Sequence, residues 1–140
     1  MAIKEAQAVV ETVGLVHALF DQIGSHVEGW AAEHSITAQQ AFLLRGLEHP
    51  KPMSHLAEEK GCDPSSLTGM IDRIEKLGLV ERVAHPEDRR VRMIQLTALG
   101  RVQRDSLERH LGELPLLATL TSAERTQLLD LLRKASGSSC

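Results

Sequence analysis

Two neighbouring stretches of the chain combine the side chains that bind phosphates and the edges of nucleotide bases. In the first stretch, small hydroxyl residues precede two cations: Ser65, Ser66, Thr68, Arg73 and Lys76. In the second, arginines follow an acidic residue: Asp88, Arg89, Arg90 and Arg92. Arginine and lysine neutralise phosphates, arginine also pairs with guanine, and small hydroxyl residues let a helix approach closely. The two stretches therefore indicate a nucleic-acid ligand rather than a reaction.

The charge of the chain is unevenly distributed. The formal net charge is −3, which by itself disfavours nucleic acid, but residues 73–104 hold eight basic and four acidic residues. That segment carries +4 and the remainder of the chain −7. Because salt screens charges beyond about 8 Å, a local basic surface on an acidic body still attracts phosphates. A solvated charged face without a ligand is the alternative interpretation.

The spacing of the reactive residues gives little support to an enzyme or a metal site. The seven histidines form no His-Glu-x-x-His pattern and no Cys/His pairs typical of zinc. The sequence also has no glycine-rich phosphate loop and no nucleophile elbow. We therefore expect a protein that is not an enzyme and that has no cofactor and no metal.

The cysteines and the apolar runs indicate a cellular compartment. Cys62 and Cys140 lie far apart in the sequence, which fits a reducing environment rather than a disulfide framework. The apolar runs are too short to cross a bilayer, and the N-terminal residues lack the pattern of a secretory signal. We expect a cytoplasmic protein.

The hydrophobic periodicity predicts one long helix over residues 4–34. Its apolar residues recur at spacings of three and four: Val9, Val13, Val16, Phe20, Ile23 and Val27. Residues 98–114 and 122–135 form two further leucine-rich helical segments, the second of which follows a capping box at Thr121. A small domain rarely shelters so long a helix alone, so we expect a partner chain to cover it.

The centre of the chain predicts three short helices. A capping box at Thr37 opens a helix that stops before the prolines at 50 and 52. A second short helix covers residues 53–60 and ends at Gly61. A third covers residues 64–77, with Asp63 as the expected cap. The last two helices have the spacing of a helix-turn-helix, whose second helix enters the major groove of DNA.

A charged hairpin follows this pair of helices. Residues 79–84 and 90–96 form two short β-like runs, and residues 85–89 form the turn between them. We expect Asp88 to brace an arginine side chain by an ion pair. A narrow minor groove has a strong negative potential and accepts such an arginine. A helix alone would be better explained as a solvent-exposed amphipathic surface, but the helix and the hairpin in tandem favour DNA binding.

With these elements in place, the sequence resembles the MarR family of winged-helix regulators over residues 10–134. The most specific parts are Asp-Arg-Ile-Glu-Lys-Leu-Gly-Leu-Val at 72–80 and Asp-Arg-Arg at 88–90. Further matches are Ile-Thr-Ala-Gln-Gln-Ala-Phe-Leu-Leu at 36–44, Leu-Thr-Ala-Leu-Gly at 96–100 and Leu-Thr-Ser-Ala-Glu-Arg at 120–125. The resemblance implies a mostly α fold with a small β-hairpin wing, in which residues 37–96 bind DNA and residues 4–34 and 98–134 dimerise.

The resemblance also implies roles for individual residues. The expected partner is a pseudo-palindromic operator in double-stranded DNA, bound by a homodimer that acts as a repressor. Ser65, Ser66, Thr68 and Arg73 would face the major groove. Arg90 would enter the minor groove, oriented by Asp88, with Arg89 near the backbone. Gly69 departs from the family pattern, in which a larger or basic residue is common, and this weakens the expectation of a base contact there.

Many members of this family respond to small phenolic or other aromatic anions. For this chain the candidate pocket residues are His17 and Trp30, against the simpler interpretation that both are packing residues. Cys62 precedes the third short helix, where its oxidation could displace that helix, or it is a small apolar residue of the turn. A winged-helix adaptor that binds protein instead of DNA is a further alternative.

Overall fold

The computed structural model describes residues 2–137 and is mostly helical. The helices are α1 (Ala2–Glu33), α2 (Ala38–Gly46), α3 (Met53–Lys60), α4 (Pro64–Lys76), α5 (Ala98–Gly112) and α6 (Ser122–Ala135). The strands are β1 (Lys51–Pro52), β2 (Val80–Ala84) and β3 (Arg92–Leu96), and a short 3-10 helix covers Pro115–Leu117. The fold class expected from the sequence, a winged helix-turn-helix with additional helices, is confirmed. No helix in the described part of the chain is both long and apolar enough to span a membrane.

Local sequence signals account for several helix boundaries. Thr37 and Thr121 both form complete capping boxes, with Gln40 and Glu124 as the returning side chains. Gly61 ends α3 in the left-handed conformation with a φ of 58°, where a residue with a Cβ would be strained. The sequence prediction is therefore confirmed at these three places.

The strands form a three-stranded antiparallel sheet in the order β1-β3-β2. Val80 pairs with Leu96 at one end of the hairpin and Ala84 with Arg92 at the other. The edge strand β1 adds two residues, with Lys51 opposite Ile94. Sequence analysis missed β1, because Pro52 reads as a helix stop, although an edge strand tolerates proline. We call β2, β3 and the connecting residues 85–91 the wing.

The second strand of the wing starts later than the sequence predicted. It begins at Arg92 instead of Arg90, because residues 89 and 90 belong to a turn. Two hydrogen bonds hold this turn: the Arg90 N–H donates to the Asp88 carboxylate and the Val91 N–H to the Asp88 carbonyl, both at 3.0 Å. Arg90 therefore lies at the tip of the wing.

The chain divides into two compact units, residues 23–112 and residues 2–22 with 113–137. The first unit contains the buried core, to which α2, α3, α4 and the sheet all contribute. Its fully buried side chains include Leu43, Leu44, Leu56, Leu67, Ile71, Ile74 and Ile94. In the second unit, the apolar residues at 9, 13, 16 and 20 on α1 are exposed. The expected division into dimerisation helices and a DNA-binding lobe concerns assembly and stays a prediction.

Candidate nucleic-acid interface

The hydroxyl groups at the start of α4 are exposed and hydrogen-bonded within the helix end. The Ser65 hydroxyl donates to the Asp63 carboxylate, and the Ser66 hydroxyl approaches the same oxygen at 3.5 Å. The Thr68 hydroxyl donates to the Pro64 carbonyl at 2.8 Å. With their hydrogens directed inward, the three hydroxyl oxygens face solvent as hydrogen-bond acceptors.

Asp63 does not cap α4 as expected. It occupies the N-cap position, but no side-chain capping bond is present, and one oxygen of its carboxylate accepts the two serine hydroxyls. The Ser65 hydroxyl is the main reason why the pKa of Asp63 lies below its ordinary value. The carboxylate is therefore ionised at neutral pH and offsets part of the positive end of the helix dipole.

Arg73 and Lys76 project from the exposed side of α4. Both residues are exposed, whereas Leu67, Ile71 and Ile74 on the opposite side are buried. Within residues 2–137 neither cation has a carboxylate within 4.0 Å. Their charges are therefore available to an external anion.

The wing tip is a compact turn that carries exposed arginines. The His85 N–H donates to the Val91 carbonyl at 2.9 Å and closes the hairpin. Arg89 and Arg90 at the tip and Arg92 at the start of β3 are all exposed. The Asp88 carboxylate accepts the backbone N–H of Arg90, and the expected ion pair with an arginine side chain is not found among residues 2–137. Asp88 orders the main chain at Arg90 rather than its guanidinium.

Arg82 differs from the other arginines of the wing, because acidic partners on α4 neutralise it. One guanidinium nitrogen lies 2.6 Å from a carboxylate oxygen of Asp72, and another lies 2.5 Å from one of Glu75. Arg82 is one of the eight basic residues that the sequence places in the segment 73–104, and its pairing with acidic residues was not predicted. The signal in the sequence is weak: Asp72 and Glu75 are three residues apart, and only the angle between α4 and β2 brings Arg82 to them.

The two residues expected to form an effector pocket, His17 and Trp30, both lie on α1, and their pocket role stays a prediction. Trp30 is buried and stacks on His34 with ring centroids 3.9 Å apart, and its indole nitrogen approaches the Ser106 hydroxyl at 3.4 Å. His17 is exposed on α1, with Asp21 at 4.0 Å. Trp30 thus packs within its own chain, and neither residue lines either of the two cavities found beside α2.

A cavity of about 380 Å³ lies between α2 and the first half of α4. Its lining is mostly apolar with a few polar groups and consists of Gln39, Phe42, Leu43, Lys60, Cys62, Ser66 and Met70. Its volume is within the range of small-molecule sites in proteins. Cys62 is half-buried at the edge of this cavity, and Cys140 lies outside the described residues.

The family model described as MarR family matches residues 36–91, which include α2 to α4 and the wing tip. Among curated relatives, the HTH-type transcriptional repressor MdtR of Bacillus subtilis is 30% identical over 103 residues, covering 71% of this chain and 66% of MdtR. NicR of Pseudomonas putida, also an HTH-type transcriptional repressor, is 28% identical over 132 residues, covering 90% of this chain and 83% of NicR. The chain spans about half to two thirds of the length of the first curated relatives that it matches.

A solved structure of E. coli MarR with operator DNA is also similar. The TM-score is 0.71 and the identity 25%, over 91% of this chain and 95% of the MarR chain. Its wild-type form without ligand gives a TM-score of 0.73 at 26% identity, over 86% of this chain and 93% of that chain.

Proposed function

Since the chain belongs to the MarR family, we propose that it is a homodimeric, sequence-specific DNA-binding repressor that works in the cytoplasm. The observation that carries this proposal is the contrast between cations and acids in α4 and the wing. Arg73, Lys76 and the arginines at 89 and 90 are exposed. Several acids around them are engaged within the protein, as Asp63 is by serine hydroxyls and Asp72 by Arg82.

In this proposal α4 reads the major groove of DNA. Ser65, Ser66 and Thr68 present hydroxyl oxygens as acceptors, and these suit the exocyclic amines of adenine or cytosine. Arg73 is long enough to reach a guanine or a phosphate, and Lys76 binds a phosphate. Gly69 is exposed and has no side chain, so it leaves room for the backbone of the DNA without reading a base.

The wing contacts the adjacent minor groove. Arg90 enters the groove, where the negative potential is strongest when the groove is narrow. Asp88 fixes the main chain from which Arg90 projects. Arg89 and Arg92 lie beside it and neutralise phosphates of the backbone.

A second copy of the chain covers the exposed apolar residues of α1 and α6. These are unusually many for a surface in water: Val9, Val13, Val16 and Phe20 on α1, and Leu129, Leu131 and Leu132 on α6. Exposed apolar surface of this extent marks an interface. A symmetric dimer would present two α4 helices to a pseudo-palindrome with half-sites about one helical turn apart.

A small aromatic or phenolic effector releases the repressor from DNA. The cavity beside α4 supports this part of the proposal, because its apolar lining suits an aromatic ring and Lys60 suits an anionic substituent. Ser66 and Met70 belong both to the cavity wall and to α4. A ligand in the cavity would therefore press directly on the helix that reads DNA.

Selection of bound fragments from the genome that encodes the chain tests this function. We expect enrichment of fragments with a pseudo-palindrome and loss of binding when Arg73 and Arg90 are both replaced by Ala. Recovery of a stoichiometric protein partner, with no enriched DNA, would contradict the proposal and favour an adaptor. Enriched fragments without a two-fold repeat would contradict the homodimer.

A further inference from the structure

Arg82 connects the wing to α4 through two ion pairs. It is the third residue of β2, and its guanidinium lies 2.6 Å from Asp72 and 2.5 Å from Glu75. The two carboxylates are on α4 at a spacing of three residues, which places them on the same side of the helix. One planar guanidinium with several donors can hold both of them at once.

The base of the wing is fixed in a different way. Residues 77–79 join α4 to β2, and Gly78 turns the chain there with a φ of 77°. The Thr97 N–H donates to the Leu79 carbonyl at 3.1 Å and its hydroxyl to the Gly78 carbonyl at 2.5 Å. These bonds secure the point where the hairpin starts. Arg82 acts farther along β2, toward the tip.

We propose that Arg82 is a positioning residue for DNA recognition, which fixes the wing at one angle to α4 so that both elements meet their grooves together. This inference rests on the proposed function. Preorganisation is the physical reason: a wing that is held before binding does not lose conformational freedom on binding. Arg82 contributes to affinity in this way without touching DNA.

Two observations separate this role from a phosphate contact. The side chain of Arg82 is only 26% exposed, and two of its guanidinium nitrogens already bind carboxylates. The arginines at 89 and 90, in contrast, are exposed and have no carboxylate partner in the part of the chain that the structure describes. A phosphate would have to displace Asp72 or Glu75 to reach Arg82.

The test measures affinity for a fragment selected as above, with Arg82→Gln and a charge-matched variant. We expect Arg82→Gln to lower operator affinity about tenfold, a typical size for a coupling of this kind. The double variant Asp72→Asn/Arg82→Gln has the wild-type net charge over Arg82, Asp72 and Glu75 but lacks the ion pairs between the wing and α4. We therefore expect its operator affinity to be as low as that of Arg82→Gln. If this double variant regains wild-type affinity, Arg82 only masks charge and the proposal is wrong.

The dependence on the wing provides a second readout. In an Arg90→Ala background, Arg82→Gln should cost little further affinity, because the wing has lost its groove contact. The salt slope of binding should stay at the wild-type value in Arg82→Gln, whereas the loss of a phosphate contact lowers it by about 0.9. The proposal would be overturned if Arg82→Gln lowered operator affinity as much in the Arg90→Ala background as in the wild type. A reduced salt slope in Arg82→Gln would overturn it as well.

If circular dichroism and thermal unfolding show that Arg82→Gln does not fold, Arg82→Lys replaces it in the affinity measurement. The single ammonium group of lysine cannot hold two carboxylates in the forked geometry of a guanidinium. We therefore expect Arg82→Lys to lose less operator affinity than Arg82→Gln, with an unchanged salt slope. Wild-type affinity and slope in Arg82→Lys, with both carboxylates still present, would contradict the need for the fork. A wild-type protein that binds no fragment would instead contradict the proposed function.

Discussion

The backbone of α5 packs directly against Leu79, and Gly100 makes this contact possible. A Cβ built on Gly100 would lie 1.9 Å from the carbonyl oxygen of Leu79, far inside van der Waals contact. The same carbonyl accepts the Thr97 N–H, which ties the start of β2 to the start of α5. The wing and α5 are therefore held together through main chain that cannot move aside cheaply.

We predict that Gly100→Ala destabilises the protein by about 1–3 kcal/mol or more, as overpacking against a rigid neighbour does. Urea unfolding at one fixed protein concentration measures it. Gly69→Ala is the matched control: Gly69 is also helical and has no atom within 4 Å of an added Cβ. For Gly69→Ala we expect a gain in the free energy of unfolding of up to about 1 kcal/mol. Equal stability of Gly100→Ala and the wild type would contradict the packing.

Asp88→Ala should weaken operator binding by removing the acceptor for the Arg90 N–H. We expect a loss of about threefold to tenfold, which corresponds to one net hydrogen bond. Asp88→Asn keeps a carbonyl acceptor and should bind nearly as the wild type does. Affinity measured by fluorescence anisotropy distinguishes the two variants. If Asn were as harmful as Ala, the charge of Asp88 and not its hydrogen bond would be the important property.

Glu59→Gln should lower stability at neutral pH and have no such effect in acid. Lys51 donates to the Glu59 carboxylate at 3.0 and 3.1 Å, and this bond is the main reason why the pKa of Glu59 is lowered. A lowered pKa stabilises the fold at pH values above the ordinary glutamate value of about 4.3 and loses this effect as the pH falls through the lowered value.

Because Glu59 is partly exposed, we expect a difference of only about 0.5 kcal/mol at pH 7. Thermal unfolding of both proteins from pH 7 down to pH 3 measures it. A difference that stays constant across this range would contradict the ionic origin.

Val13→Glu should convert the proposed dimer to a monomer, because it places a charge in the middle of the exposed apolar stripe of α1. Ala18→Glu introduces the same charge at an exposed position on the opposite side of the helix. Sedimentation velocity compares the two variants at equal concentration. We expect Val13→Glu to sediment as a monomer and Ala18→Glu as a dimer. A monomeric wild type would contradict the homodimer itself.

The sequence predicted those features that depend on neighbouring residues. The capping box at Thr37 needs only Gln40, and the helix end at Gly61 needs only a residue that tolerates positive φ. The hairpin of the wing also followed from local pattern, with an error of two residues where Asp88 holds the turn at Arg90.

Features that depend on distant residues were not predicted. Trp30 is buried because Ser106 and the core surround it, and Ser106 is 76 residues away. The edge strand β1 exists because Lys51 pairs with Ile94. The ion pairs of Arg82 depend on the angle between a helix and a strand. A periodic pattern contains no information about these distances.

The salt dependence of operator affinity tests the central claim most directly. We predict that log affinity of the wild type falls linearly with log salt concentration, as release of counterions from DNA requires. Arg90→Ala should bind more weakly with a slope smaller by about 0.9, the contribution of one cation at the DNA backbone. A wild-type affinity that does not change with salt, or an Arg90→Ala variant with unchanged affinity and slope, would contradict DNA binding by α4 and the wing.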